Sequence, residues 1–182
     1  MVEAVLQQYI FDSFRPSLQS AAYRAAWELS QGEGIERGLL LVGPVGVGKT
    51  HLALAVFNEV KLREGPGQCI AQYTSEVELL ARVRRTYEKE ALESEAQVLN
   101  LMKAVPLLII DDLCKYTPSD PTYRNRVLFE ILDWRCLRHK AVMLTANNRL
   151  AELVDALGAP IADRIRDMCQ IVEMKGVSQR GK

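Results

Sequence analysis

Apolar residues in this chain fall into short aliphatic runs, separated by longer stretches in which apolar positions recur every three or four residues. The runs are 39–42, 70–73, 107–110, 141–145 and 171–174, and each has the length and continuity of a strand covered on both faces. Helical patterns fill the intervals. Residues 17–30 precede the first run and stop before Gly32 and Gly34, and His51-Leu52-Ala53-Leu54-Ala55-Val56 follows it after a glycine-rich loop. Ser75-Glu76-Val77-Glu78 has the form of a capping box, with Val77, Leu80, Arg84 and Tyr87 continuing one side of the helix it starts. Val127, Leu128, Ile131, Leu132 and Trp134 mark another helix, after the turn-rich TPSDP at 117–121. Strands alternating with helices predict an α/β domain around a parallel sheet.

Composition narrows this picture mainly by exclusion. A chain of 182 residues, with no internal repeat, suits one domain with a sizeable core. Lys plus Arg equals Asp plus Glu at 23 each, so any nucleic-acid contact has to be a local patch. The densest charge lies in 82–95, where both signs alternate and the pattern alone predicts a solvated helix face with i,i+4 pairs. Cys69, Cys114, Cys136 and Cys169 show neither a CxxC pair nor a histidine at ligand spacing, which argues against zinc or a disulfide framework. Cys69 and Cys169 fall in strand-like runs and read as reduced core thiols. No apolar run approaches the roughly 20 residues of a membrane span. The opening MVEAVLQQYIFDSF lacks a basic region before an apolar core, so a cytoplasmic protein without membrane contact is expected.

The candidate chemistry begins at the first run. Gly43-Pro44-Val45-Gly46-Val47-Gly48-Lys49-Thr50 fits G-x-x-x-x-G-K-[ST] at every fixed position, between a strand and a helix. Glycines let the backbone fold into a nest of N–H groups for phosphate oxygens, and the next helix turns its N-terminus to the same anion. Lys49 is expected along the β- and γ-phosphates, with the Thr50 hydroxyl on Mg²⁺. The acidic partner is Leu107-Leu108-Ile109-Ile110-Asp111-Asp112: Asp111 for the metal, mostly through water, and Asp112 as general base for the attacking water. Such groups belong at the carboxyl ends of strands, where open α/β sheets bind ligands. The run 141–145 ends in Ala146-Asn147-Asn148, whose amides are placed to orient water or meet the γ-phosphate. Arg164, Arg166 and Arg180 come late, and arginine suits bidentate phosphate contact. Ion pairs with Asp163 and Asp167 are an equally open reading of the first two.

Taken in order, GPVGVGKTHLA, LLIIDDL, LTANN, a DR-x-R segment and G-x-S-x-R resemble the DnaC/DnaI helicase-loader branch of AAA+ ATPases, and the transposition helper IstB is similar in the same motifs. The resemblance runs from Phe11-Asp12-Ser13-Phe14 to Arg180. It implies a P-loop AAA+ ATPase core: five parallel strands in the order 5-1-4-3-2, helices on both faces and no C-terminal lid domain. Residues 1–34 are then a lead-in segment and a helix of the core, and 35–182 the ATPase domain. The helicase-gripping N-terminal domain of such loaders is expected to be absent, which reads as the core of a longer chain. Residues 43–50 with His51 correspond to the ATP/ADP-binding loop, Asp111 and Asp112 to Walker B, and Asn147 to sensor 1 ahead of Asn148. Arg164 corresponds to the arginine finger that reaches a neighbouring copy, with Arg166 second, and Arg180 to the sensor 2 arginine. Cys114 stands where many relatives have Gly, Gln179 replaces an aromatic, and Asp112 is shorter than the usual Glu, which implies slow hydrolysis.

The family also implies the work. ATP-bound domains stack in a row along single-stranded DNA, and hydrolysis accompanies loading of the replicative helicase. The helices after the second strand carry the DNA contacts, here Arg82, Arg84 and Arg85. Two alternatives stand beside this: an IstB-like transposition helper acting on duplex DNA, and a nucleotide-gated adaptor that scarcely hydrolyses.

Overall fold

The computed structural model describes residues 8–15, 19–32, 38–65, 67–116, 120–147 and 149–178. A 3-10 turn at Phe11–Ser13 leads into α1 (Ser20–Gln31), β1 (Gly38–Val42) and α2 (Lys49–Lys61). Then come β2 (Ala71–Ser75), α3 (Glu76–Arg85), α4 (Glu95–Ala104), β3 (Leu107–Leu113) and α5 (Pro121–Cys136). The chain continues through β4 (Val142–Ala146), α6 (Leu150–Leu157), α7 (Ala159–Met168) and β5 (Cys169–Glu173). Every strand pair is parallel and the order is β2-β3-β4-β1-β5, the expected 5-1-4-3-2 seen from the other edge.

Alternation along the strands divides the core in two. Leu40, Val42, Leu108, Ile110, Val142 and Leu144 pack with residues of α3 to α7, among them Leu79, Val98, Leu128 and Ile161. Leu39, Leu41, Leu107, Ile109 and Met143 pack with α1 and α2, through Ala26, Leu29, Leu52 and Val56. Both faces are sealed by hydrocarbon, so polar chemistry is confined to the ends of the strands.

Local signals set the helix starts. The Ser75 hydroxyl accepts the Glu78 N–H while Glu78 takes the Ser75 N–H, the expected capping box; Ser94 and Gln97 repeat it for α4. Asp120 caps α5 through the Tyr123 N–H, with Pro121 in its first turn. The side of α3 that faces the core is Leu79, Leu80 and Val83; Val77 is exposed and the helix ends at Arg85, short of Tyr87, so the expected stripe began on the wrong residue.

The stretch 82–95 is likewise not one helix face. After Arg85 the chain turns, and Arg82 makes a two-pronged bond to Glu93 (2.8 and 2.5 Å) that closes the turn rather than running along a helix. Cys169 is buried as expected, and burial pushes its thiol up; Cys69 is exposed ahead of β2, not a core thiol. Residues 17–18, Gly34, 117–119, Asn148 and Arg180 lie outside the described residues.

Among the described residues, one charged side chain is wholly interior. Arg135, in the last turn of α5, is 0% exposed, and its guanidinium donates to the carbonyls of Met102, Lys103, Val105, Pro106 and Ala141. It ties the C-terminus of α4 to the starts of β3 and β4. Burial lowers its pKa to about 10, so the side chain is still a cation at neutral pH.

Candidate nucleotide site

β1 delivers the glycine-rich loop to the carboxyl edge of the sheet, where the Gly43 N–H bonds the Ala146 carbonyl (3.2 Å). Gly46 (φ 85°) and Gly48 (φ 104°) occupy left-handed backbone. A Cβ on Gly48 would stand 2.7 Å from the Phe14 ring, and one on Gly46 would strike Ser178. The loop is therefore closed in by the N-terminal segment on one side and the last described residues on the other. Val47 turns into the core while Val45 points to solvent, which leaves the loop peptides to face the cavity. Gly48 caps α2, and Lys49 begins it. The Lys49 ammonium, almost buried, donates to the Gly43 and Pro44 carbonyls at 2.7 Å each.

The acidic pair sits in a β-bulge. Ile110 pairs with Leu144 and Leu113 with Ala146, so β3 carries one more residue than β4 across this interval. Asp112 (φ 59°), inside this interval, and Cys114 (φ 55°), just after it, both hold left-handed backbone. The Cys114 position is the one where the resemblance expects Gly, and the dihedral supplies the reason. The Thr145 hydroxyl donates to Asp111 Oδ1 (2.5 Å) and accepts the Asp112 N–H (2.9 Å), so one side chain of β4 pins both halves of the bulge. From β2, the Tyr73 hydroxyl donates to Asp111 Oδ2 (2.9 Å); burial, then the Asp111 charge, raises that phenol.

The bulge is also held from α3. Glu76, 4% exposed, accepts the Cys114 N–H at 2.8 Å, and its burial pushes the carboxyl above the ordinary range. Burial lifts the Cys114 thiol to about 11, so it stays protonated at neutral pH. The Lys115 ammonium lies 2.6 Å from Asp112 Oδ2, and that hydrogen bond raises its pKa.

These groups converge. Lys49, Thr50, His51, Asp112, Lys115 and Asn147 line one cavity of about 340 Å³ with Gly46 and Gly48. A second cavity of about 710 Å³ adjoins it across Gly48 and His51, walled by Phe14, Val47 and Val177. His51 serves chiefly as a clasp: Nε2 lies 3.2 Å from Ser13 Oγ and 3.1 Å from the Ile10 carbonyl, and Tyr9 and Phe14 meet its ring edge-on. For Mg²⁺, Thr50 and Asp111 carry the hard oxygens that ion takes, but Asp111 is buried, does not line this cavity and has both carboxylate oxygens bonded to hydroxyls; no group of three His, Cys, Asp or Glu that could hold a metal ion occurs among the described residues.

Other sequence candidates lie elsewhere. Arg164, on α7, bonds Asp133 of α5 (2.7 Å), not the Asp163 or Asp167 beside it; Arg166 pairs with Asp163 (2.9 Å). Of the three arginines expected on DNA, Arg82 is engaged by Glu93, Arg84 stacks over the Tyr123 ring (5.1 Å), and Arg85 makes a long bond to the Ala81 carbonyl (3.4 Å). Sequence reasoning missed Thr145, Tyr73, Glu76 and Lys115. Thr145 alone left a trace, as the hydroxyl in an otherwise aliphatic strand just before the amides. No helix of the described residues is long and apolar enough to cross a membrane.

Comparison with known proteins bears on the family and the fold. The chain is 27% identical to the replicative helicase loader DnaC of Escherichia coli (strain K12) over 163 residues, 88% of this chain and 64% of that protein. It is 28% identical over 171 residues to an insertion sequence IS5376 protein of Geobacillus stearothermophilus, covering 91% of this chain and 64% of the other. The chain thus spans less than two thirds of the length of these relatives. The solved structure of the DnaC helicase loader superposes with a TM-score of 0.77 at 22% identity, covering 93% of this chain and 98% of that one, so the fold is the P-loop AAA+ core. Residues 11–182 match the family described as IstB-like ATP binding protein, and the chain belongs to that family.

Proposed function

We propose that this chain is the ATP-hydrolysing domain of a helicase loader, which assembles on single-stranded DNA in its ATP state to load the replicative helicase during initiation of replication. The observation that carries the nucleotide reading is the convergence of Lys49, Thr50, Asp112 and Asn147 on one cavity at the carboxyl end of a sealed sheet. Lys49 and the loop peptides take the phosphates, Thr50 and Asp111 would hold Mg²⁺, the latter mostly through water, and the cavity beside Phe14 and Val177 takes the base. Bound Mg²⁺ would offset phosphate charge. Asp112 accepts a proton from the attacking water, and Asn147 orients that water. Arg164 acts on the nucleotide of a neighbouring copy, and Arg180 on its own. Similarity to a protein named a replicative helicase loader supports the choice of partner.

Similarity to an insertion sequence protein favours a second reading, a transposition helper on duplex DNA. Fluorescence anisotropy of labelled single-stranded and duplex oligonucleotides, with an ATP analogue or ADP, separates the two. The expected result is single-strand binding that requires the ATP state, is lost in Lys49→Ala, and weakens more in Arg85→Ala than in Arg82→Ala, because Glu93 already neutralises Arg82. Duplex preference would transfer the assignment to the transposition helper. Absence of DNA binding in every state, with nucleotide still bound, would leave only a nucleotide-gated adaptor.

A further inference from the structure

The phosphate cavity contains a cation that the glycine-rich loop does not supply. Lys115 lies just beyond the bulge of β3, and its ammonium rests 2.6 Å from Asp112 Oδ2. Both side chains line the cavity shared with Lys49, Thr50 and Asn147. The lysine side chain is 41% exposed, but its backbone is fixed on three counts. Asp112 and Cys114 hold left-handed dihedrals, buried Glu76 takes the Cys114 N–H at 2.8 Å, and the Lys115 N–H turns back to the Asp112 carbonyl at 3.4 Å.

This arrangement poses an electrostatic question. Without a counterion the Asp112 carboxylate would present a second anion to the terminal phosphate inside one small cavity, where like charges repel. Lys49, with its ammonium drawn onto the Gly43 and Pro44 carbonyls, stands on the loop side. Lys115 stands on the acid side. A triphosphate differs from a diphosphate by one phosphoryl group and its charge, and the balance at the acid end decides how that charge is received.

We propose that Lys115 is the residue by which this site distinguishes nucleoside triphosphate from diphosphate: paired with Asp112 in the phosphate cavity, it offsets the carboxylate and favours the terminal phosphate. The inference rests on the nucleotide-site reading above. Calorimetric titration with a non-hydrolysable ATP analogue and with ADP, both with Mg²⁺, tests it on wild type, Lys115→Met, Lys115→Gln, Lys115→Arg and Lys49→Ala. Loss of a charge-assisted contact is expected to weaken triphosphate binding by roughly tenfold in Lys115→Met and Lys115→Gln, while ADP affinity stays within about twofold. Lys115→Arg keeps most of the discrimination. Retained ADP binding shows that each Lys115 variant is folded. An unchanged ratio of the two affinities, or an equal loss for both nucleotides, overturns the proposal and reduces the Lys115–Asp112 pair to a surface ion pair. Unchanged binding of both nucleotides to Lys49→Ala would instead remove the nucleotide site itself, and this inference with it.

Discussion

Asp111 shows how little of a functional residue's setting is visible in its own neighbourhood along the chain. Its two carboxylate oxygens are engaged by hydroxyls from flanking strands, Thr145 on β4 and Tyr73 on β2. Asp112, next door, is held by its backbone to Thr145 and by its side chain to Lys115. Glu76 completes the frame from α3. Its carboxyl has a raised pKa in the folded protein, chiefly through burial, so it favours the protonated form there. The contribution of Glu76 to stability is therefore greatest below the ordinary glutamate value of 4.5 and is lost as pH rises through its folded pKa. Glu76→Gln keeps an acceptor for the Cys114 N–H and removes the titration. Its stability relative to wild type should improve as pH rises from 4.5 through the folded pKa of Glu76 and then level off; thermal melts of the two proteins at pH 4.5 and pH 8 measure this, and a constant difference would refute it.

Between elements, the strongest tie is made by Arg135. Its five carbonyl partners belong to the end of α4, the turn into β3 and the residue before β4, so one side chain closes three segments. Replacing it with Leu would strand buried acceptors near a helix C-terminus whose partial negative charge it now meets. A loss of about 3–5 kcal/mol is expected by urea denaturation. Lys, with one compact ammonium in place of the planar fork, should recover only part of it. The short links between elements carry function too. β2 passes directly into α3, so the strand that supplies Tyr73 to Asp111 and the helix that bears Arg82, Arg84 and Arg85 are one continuous stretch. The acidic bulge of β3 meets that stretch through two hydrogen bonds, Tyr73 to Asp111 and the Cys114 N–H to Glu76.

At the scale of the whole molecule, the nucleotide groups gather at one edge of the sheet while Arg164 lies on the packed pair α5–α7, bonded to Asp133. That separation suits a residue that serves a neighbouring copy. If Arg164 is the finger, Arg164→Ala should leave nucleotide affinity unchanged and lower ATP turnover by roughly a thousandfold. It should also abolish the rise of specific activity with protein concentration, since the missing group is supplied in trans. A steady-state ATPase series across concentrations decides this, and turnover equal to wild type would assign the finger elsewhere. The formal charge of zero fits the same layout. Arginines on α3 are partly answered by Glu93 and by the Tyr123 ring, so any DNA contact is local and salt-sensitive.

The glycine-rich loop, the acidic pair and Asn147 stood out in the chain as candidates because each is a short local pattern dictated by backbone needs: glycines for a nest, aliphatics for a strand covered on both faces, polar groups at its carboxyl end. The strand order came from the family resemblance, not from periodicity. The helix stripe on α3 was misplaced by a residue because only the packing of Leu79 and Val83 against the sheet decides which side is inward. The closing of 82–95 by Arg82 and Glu93 was hidden because that pair is joined across a turn. Tyr73, Glu76, Thr145 and Lys115 became parts of the site only in three dimensions. Their roles depend on strands β2, β3 and β4 lying side by side and on one extra residue in β3, and neither distance in space nor a bulge is written in the order of the residues.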